Sequence, residues 1–157
     1  MNVLFETGQD GSTATTHDWL TPPEILHALG VFDLDPCASE HQPWATACKH
    51  LTVKDDGLSK PWAGRVWCNP PYSSILPWVQ KAWAEWKTSD GIAMLLPANR
   101  TEQGWWQEHV EPNRHLDWMS THFLRGRRRF IQAGATEIKP NERPPFGLVV
   151  VTIGLRD

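Results

Sequence analysis

The chain has 157 residues, the size of one domain, so a single sizeable core is expected and a multi-domain machine is not. Hydrophobic residues make up 40% and charged residues 21%, an ordinary balance for a globular protein, and no window approaches the ~18 continuous apolar residues of a membrane helix. The net charge of -3 hides an asymmetry: residues 1–64 carry nine acidic against three basic side chains, and residues 113–143 carry seven basic against three acidic ones. Such a chain suits a cationic small molecule in one place and a polyanion in another, or simply two solvated faces.

The opening residues MNVLFETGQDGST lack the basic stretch and apolar run of a secretory signal, which makes the cytoplasm the expected compartment. Cys37, Cys48 and Cys68 are odd in number and contain no CxxC pair, so reduced thiols are expected. Cys37, His41, Cys48 and His50 are metal-ligand types whose spacing matches no common zinc site, and no metal is expected.

An N-terminal arm over residues 1–18 precedes one domain over 19–157. Thr21-Pro22-Pro23-Glu24 has the form of a capping box with Pro at the first helical position, and predicts a short helix to about Leu29 that stops at Gly30. Val31 to Asp35 alternates apolar and acidic residues and breaks at Pro36, the pattern of a short strand ending in an acid. Residues 38–64 are mostly connections, with a weak strand signal around Cys48 to Val53. Arg65 to Cys68 predicts a second strand, stopped by Asn69-Pro70-Pro71-Tyr72. Ser73 or Ser74 is a candidate cap for a helix in which Ile75, Val79, Ala82, Trp83 and Trp86 follow the 3.6-residue period.

Gly91 to Pro97 is a continuous apolar run, as in a strand covered on both faces. A helix is expected from about Thr101 to Val110, and strands over His115 to Phe123 and Phe146 to Leu155. Strand and helix alternate, which predicts an open α/β sheet with ligands outside the carboxyl ends of its strands. The corners Asp35-Pro36-Cys37-Ala38 and Asn69-Pro70-Pro71-Tyr72 both end predicted strands, so they should share one crevice.

In Asn-Pro-Pro-Tyr the prolines hold the backbone extended, so the Asn side-chain oxygen and a backbone carbonyl can face one place as paired acceptors while the Tyr ring offers a stacking face. An exocyclic amine on an aromatic base is the natural guest. Tyr72 is the one tyrosine beside ten tryptophans. Asp35 and Asp56 could equally be a helix cap and a turn residue, since Asp56-Gly57 is a common turn pair. Arg125-Gly126-Arg127-Arg128-Arg129 holds more cations than the acids of 113–143 can pair, which points to phosphate contact.

Asn69-Pro70-Pro71-Tyr72 is identical to the catalytic motif of amino-group methyltransferases that use S-adenosylmethionine. Trp19 to Glu24, Phe32 to Ser39, Asp55 to Leu58 and Trp67 to Tyr72, in that order, resemble the phage and prophage DNA N6-adenine methyltransferases. Phe123 to Arg127 and Phe130 look like the C-terminal half of that family, and the resemblance covers about Trp19 to Ile153. It implies a Rossmann-like methyltransferase sheet, mostly parallel with an antiparallel C-terminal strand, in one domain. It also implies an adenine-specific DNA methyltransferase, of the host cytoplasm if phage-encoded. Asn69, Pro70, Pro71 and Tyr72 would be catalytic, with Asn69 and the Pro70 carbonyl accepting from the target amine and Tyr72 stacking on an extruded base. Thr21, Pro22 and Pro23 would hold the cofactor carboxylate, Asp35 and Ala38 would approach its methionyl part, and Asp56 would reach its adenine. Arg125, Arg127, Arg128 and Arg129 would meet DNA.

Two departures from the pattern stand out. Ala38-Ser39-Glu40-His41 lacks the glycine-rich turn that many methyltransferases have, and the short stretch from Ala38 to Arg65 leaves the ribose-binding acid unassigned, with Asp33 as a substitute. The same tetrapeptide could serve methylation of an RNA adenine or a protein glutamine, and a catalytically silent DNA-binding module of the same fold is the rival from another class.

Overall fold

A computed structural model describes residues 19–126, 131–132 and 146–156. The expected arm over residues 1–18 lies outside them. Among the described residues there are eight strands: β1 (Trp19–Leu20), β2 (Leu34–Asp35), β3 (Lys49–His50), β4 (Val66–Cys68), β5 (Ile92–Pro97), β6 (Met119–Phe123), β7 (Ile131–Gln132) and β8 (Leu148–Ile153). Six of them form one sheet in the order β3-β2-β4-β5-β8-β6. β3, β2, β4 and β5 run parallel, whereas β8 is antiparallel to both β5 and β6. This is the expected Rossmann-like α/β sheet, with its reversed C-terminal strand inserted between β5 and β6.

The apolar run that predicted β5 is buried along its whole length, and β8 pairs with it from Ile92↔Ile153 to Pro97↔Leu148. β-branched and leucine side chains from this pair fill the centre of the core, where Ile92, Leu95, Val149, Val151 and Ile153 are fully buried. Two helices pack on the sheet: α1 (Pro23–Leu29), which buries Ile25 and Leu26, and α2 (Leu76–Glu85), which buries Val79 and Ala82. Gly30, at φ +98°, ends α1 as expected.

Several local expectations are corrected. Neither helix has a side-chain cap: Pro22 and Ile75 occupy the N-cap positions, so Thr21, Ser73 and Ser74 do not cap. The strand predicted over Val31 to Asp35 is reduced to its last two residues. In place of an α-helix up to Val110, Trp106–Val110 winds as a π-helical turn and Glu111–Asn113 as a 3-10 turn. Trp105, Trp106 and Val110 are all buried, and the wider turn lets Trp105 and Val110, five residues apart, share the inner face. Pro112 then removes the donor that an α-helix would need.

β1 and β7 form a separate antiparallel ribbon, pairing Trp19 with Gln132 and Leu20 with Ile131. The ribbon sets the residue after β1, Thr21, against the large sheet. Among the described residues no helix is long and apolar enough to cross a membrane.

Candidate active site at the sheet switch point

From β2 the chain steps outward to β3 and then returns across β2 to β4, so the strand order reverses between β2 and β4. An open α/β sheet leaves a crevice at such a point, outside the carboxyl ends of its strands. Asp35 closes β2 and Asn69 follows β4, and the corners after both strands line one cavity of about 530 Å³. That volume falls in the ~300–1,000 Å³ range of small-molecule sites.

Asp35 is 3% exposed on the cavity wall. Its Oδ1 accepts the Cys37 backbone N–H at 3.0 Å and its Oδ2 accepts the hydroxyl of buried Thr46. These bonds favour the carboxylate, but loss of water outweighs them and its pKa is pushed up to about 6. His50 stands behind Thr46: its Nε2 accepts the Thr46 N–H at 3.2 Å and the Ala47 N–H at 3.4 Å, and lies 3.2 Å from the Thr46 hydroxyl. Burial lowers the His50 pKa, in keeping with a neutral ring whose Nε2 is an acceptor.

The Asp56-Gly57 turn closes one side of the cavity. Asp56 has φ +53°, and a Cβ on Gly57 would sit 1.9 Å from the Pro36 carbonyl oxygen, so two backbones meet where only glycine fits. The buried Trp62 donates its indole N–H to the Gly57 carbonyl at 2.9 Å, and Trp78 of α2 stacks on Trp62 at 6.2 Å. Close backbone approach thus exists here through Gly57, although the Ala38-Ser39-Glu40-His41 segment has no glycine.

Asn69, Pro70 and Pro71 also line the cavity. The Asn69 Nδ2 donates to the Thr21 hydroxyl at 3.1 Å, a contact between residues 48 apart in sequence. Thr21 is itself held through its carbonyl, which accepts the Trp44 indole N–H at 2.8 Å. Gln42 Nε2 and Trp67 Nε1, both on cavity-lining residues, are buried donors without a hydrogen-bond partner among the described residues. Such atoms are costly to leave unmet. The lining therefore combines acids (Asp35, Glu40, Asp56) with donors that want an acceptor.

Of the expected cofactor residues, Thr21, Asp35, Ala38 and Asp56 come together around the cavity. Pro22 and Pro23 do not line it: they open α1, which at seven residues and without a Thr21 cap is not the capped anion site the sequence suggested. Asp33 is corrected outright. It immediately precedes β2, where its Oδ2 accepts the Arg65 N–H at 2.7 Å and its backbone N–H donates to the Arg65 carbonyl at 2.7 Å, so it ties the start of β2 to that of β4 and is not among the residues that line the cavity.

The Tyr72 ring is also not where stacking would need it. Tyr72 is 2% exposed, its hydroxyl donates to the Leu95 carbonyl at 3.3 Å, and its ring meets Phe146 at 5.6 Å between centroids. Burial pushes its phenol pKa well up. Arg100, which sequence reasoning missed, donates to the Tyr72 carbonyl and so braces the corner from behind.

Burial also raises the pKa of Cys68, which keeps the thiol protonated beside Asn69. Among the described residues no group of three or more His, Cys, Asp or Glu could hold a metal. Arg125 is exposed after β6, and Arg127, Arg128 and Arg129 lie outside the described residues.

The chain is similar to known methyltransferases. A DNA N-6-adenine-methyltransferase of Escherichia phage T1 is 32% identical over 108 residues, which are 64% of this chain and 44% of the relative. One from Haemophilus phage HP1 is 41% identical over 71 residues, 41% of this chain and 39% of the relative. The chain thus spans less than half the length of these curated relatives. A candidate RNA methyltransferase from Pyrococcus horikoshii aligns over 69% of this chain and 52% of its own at TM-score 0.40 and 16% identity, too distant to carry an argument. The profile of the family described as DNA N-6-adenine-methyltransferase (Dam) matches residues 10–153, nearly the whole chain, and the protein belongs to that family.

Proposed function

We propose that the chain transfers a methyl group from S-adenosylmethionine to the exocyclic N6 amine of an adenine in DNA. The observation that carries this reading is the meeting of the Asn69-Pro70 corner and the Asp35 corner in one cavity at the switch point, in a member of this family.

The donor set fits the cofactor. S-adenosylmethionine is cationic at its sulfonium and ammonium groups and rich in acceptors at its carboxylate, ribose and purine. Asp35, Glu40 and Asp56 answer the first, and the buried Gln42 and Trp67 donors answer the second. Asp35 and Ala38 would hold the methionyl part, and Asp56 the purine end. Bound there, the cofactor supplies an electrophilic methyl group.

The residues of the chain supply position and charge. Asn69 Oδ1 and the Pro70 carbonyl accept the two N–H bonds of the target amine, which keeps its lone pair available for attack and meets the positive charge that grows on nitrogen. The buried Cys68 thiol beside Asn69 is held protonated and has no part as a nucleophile. A base inside a duplex cannot reach a cavity of this kind, so the adenine must be extruded. The DNA backbone would be held by Arg125, Arg127, Arg128 and Arg129.

Incubation of DNA, RNA and protein with isotope-labelled S-adenosylmethionine, followed by mass spectrometry of nucleosides and amino acids, tests the reading. Label on N6 of deoxyadenosine is expected, with a rate that falls about a hundredfold or more in Asn69→Ala. Label confined to RNA or to protein glutamine, or near-normal turnover by a folded Asn69→Ala protein, would overturn it.

A further inference from the structure

Thr21 does not do what its position before two prolines predicts. Its hydroxyl does not cap α1 and instead accepts from the Asn69 Nδ2 at 3.1 Å. From this contact we infer that Thr21 is a positioning residue for the methyl-transfer reaction: it holds the Asn69 side chain in one rotamer beside the place of the target amine. The inference rests on Asn69 being an acceptor for that amine.

An Asn side chain turns about two single bonds, and an amide that has to accept from a substrate amine must be held against that rotation. The bond from Nδ2 to the Thr21 hydroxyl ties the Asn69 side chain to a fixed point outside its own corner. Everything around Thr21 keeps that hydroxyl in place. The residue is 2% exposed, so water cannot substitute for it. Its carbonyl is tied to Trp44 Nε1 at 2.8 Å, and the residues before it are paired with β7 through Leu20↔Ile131. Pro22 restricts its backbone to extended conformations, so the hydroxyl cannot drift by rotation of the main chain. Methyl transfer needs the amine fixed at both acceptors, which is why a side chain that contacts no reacting atom can still control the rate.

This role differs from that of a cofactor ligand, and kinetics separate the two. In Thr21→Val, which keeps the branched shape and removes the hydroxyl, kcat on DNA should fall about three- to tenfold while the Kd for S-adenosylmethionine by calorimetry stays unchanged. Thr21→Ser should recover most of the loss. In an Asn69→Ala background the residual rate should be insensitive to Thr21→Val, since the hydroxyl acts through the missing amide. Thr21→Ala replaces Thr21→Val in every arm if the valine variant does not fold. A readout independent of turnover is the side-chain NH2 signal of Asn69 in 15N-labelled protein, assigned by its loss in Asn69→Ala: it should shift and exchange faster in Thr21→Val. Unchanged kcat, a loss confined to cofactor affinity, equal losses in the serine and valine variants, or an unmoved NH2 signal would each overturn the inference. Absence of methyl transfer by the wild-type protein would fault the proposed reaction, while the NH2 signal would still decide whether Thr21 holds Asn69.

Discussion

Asp35 is a carboxylate that the fold would be more stable without. It is 3% exposed, and burial against its two hydrogen bonds moves its pKa from 3.8 to about 6. The folded value lies above the unfolded one, so the contribution of Asp35 to stability is fully present below about pH 4 and is lost as pH rises through about 6. A displacement of about two pH units at ~1.4 kcal/mol each makes the ionised side chain about 3 kcal/mol worse for the native state at pH 8 than at pH 4. Asn removes the charge but not the network, because its oxygen can accept from Cys37 N–H and its NH2 can donate to the Thr46 hydroxyl, whose own proton can turn to His50. Urea unfolding of wild-type and Asp35→Asn protein without cofactor, at intervals between pH 4 and 8, measures the difference. The two should be alike at pH 4 and diverge until the variant is about 3 kcal/mol more stable at pH 8. The same variant should bind S-adenosylmethionine weakly, since the charge retained at such expense in stability is the one that faces the cation. A difference flat with pH, or a wild type more stable than the variant at pH 8, would refute the reasoning.

Three further outcomes are expected. Gly57→Ala puts a Cβ 1.9 Å from the Pro36 carbonyl and forces the Asp56 turn off the Asp35 corner, so thermal melts should show a loss of about 1–3 kcal/mol and no further stabilisation by S-adenosylmethionine. With Tyr72 buried, Tyr72→Phe should cost about 1 kcal/mol for its bond to Leu95 and Tyr72→Ala about 3–5 kcal/mol in urea unfolding, and a Tyr72→Ala protein of normal stability would contradict its packing on Phe146. Binding to duplex DNA should weaken with salt at a slope near -0.9 per phosphate contacted. Each of Arg125→Ala, Arg127→Ala, Arg128→Ala and Arg129→Ala that removes a contact should flatten it by about one, and four unchanged slopes would make the tract a solvated face.

What could be read from the sequence was what depends on neighbours in sequence. β5 and β8 announce themselves as apolar runs bounded by Gly and Pro, and α2 by the period of Ile75, Val79 and Ala82. The shared crevice followed from a topological rule applied to two strand ends, Asp35 and Asn69. The failures have the opposite character. Thr21 reads locally as a cap, but its hydroxyl is taken by Asn69, 48 residues on. Asp33 reads as the substitute for the missing ribose acid, yet the backbone of Arg65 engages its carboxylate before β2 begins. Tyr72 reads as a stacking platform from its tetrapeptide, and only the position of Phe146 reveals that its ring face is already covered. Gly57 carried a signal, the Asp-Gly pair, which says turn but not against what the turn is pressed.

These corrections share a physical origin that bears on how the site works. The groups assigned to chemistry sit on short corners with little regular structure of their own, so their geometry must come from partners elsewhere. Thr46 holds Asp35, Thr21 holds Asn69, Arg100 holds the Tyr72 carbonyl, and Trp62 holds the Gly57 turn. Each brace is a hydrogen bond from or to a side chain outside the motif it supports. Where protein acceptors position a reacting amine, the gain in rate comes from their preorganisation, and preorganisation is a property of those braces as much as of the acceptors. A chain carrying Asp35, Asp56 and Asn69-Pro70-Pro71-Tyr72 intact but lacking Thr21 and Thr46 would keep the residue types at these corners and lose the order that makes them act together.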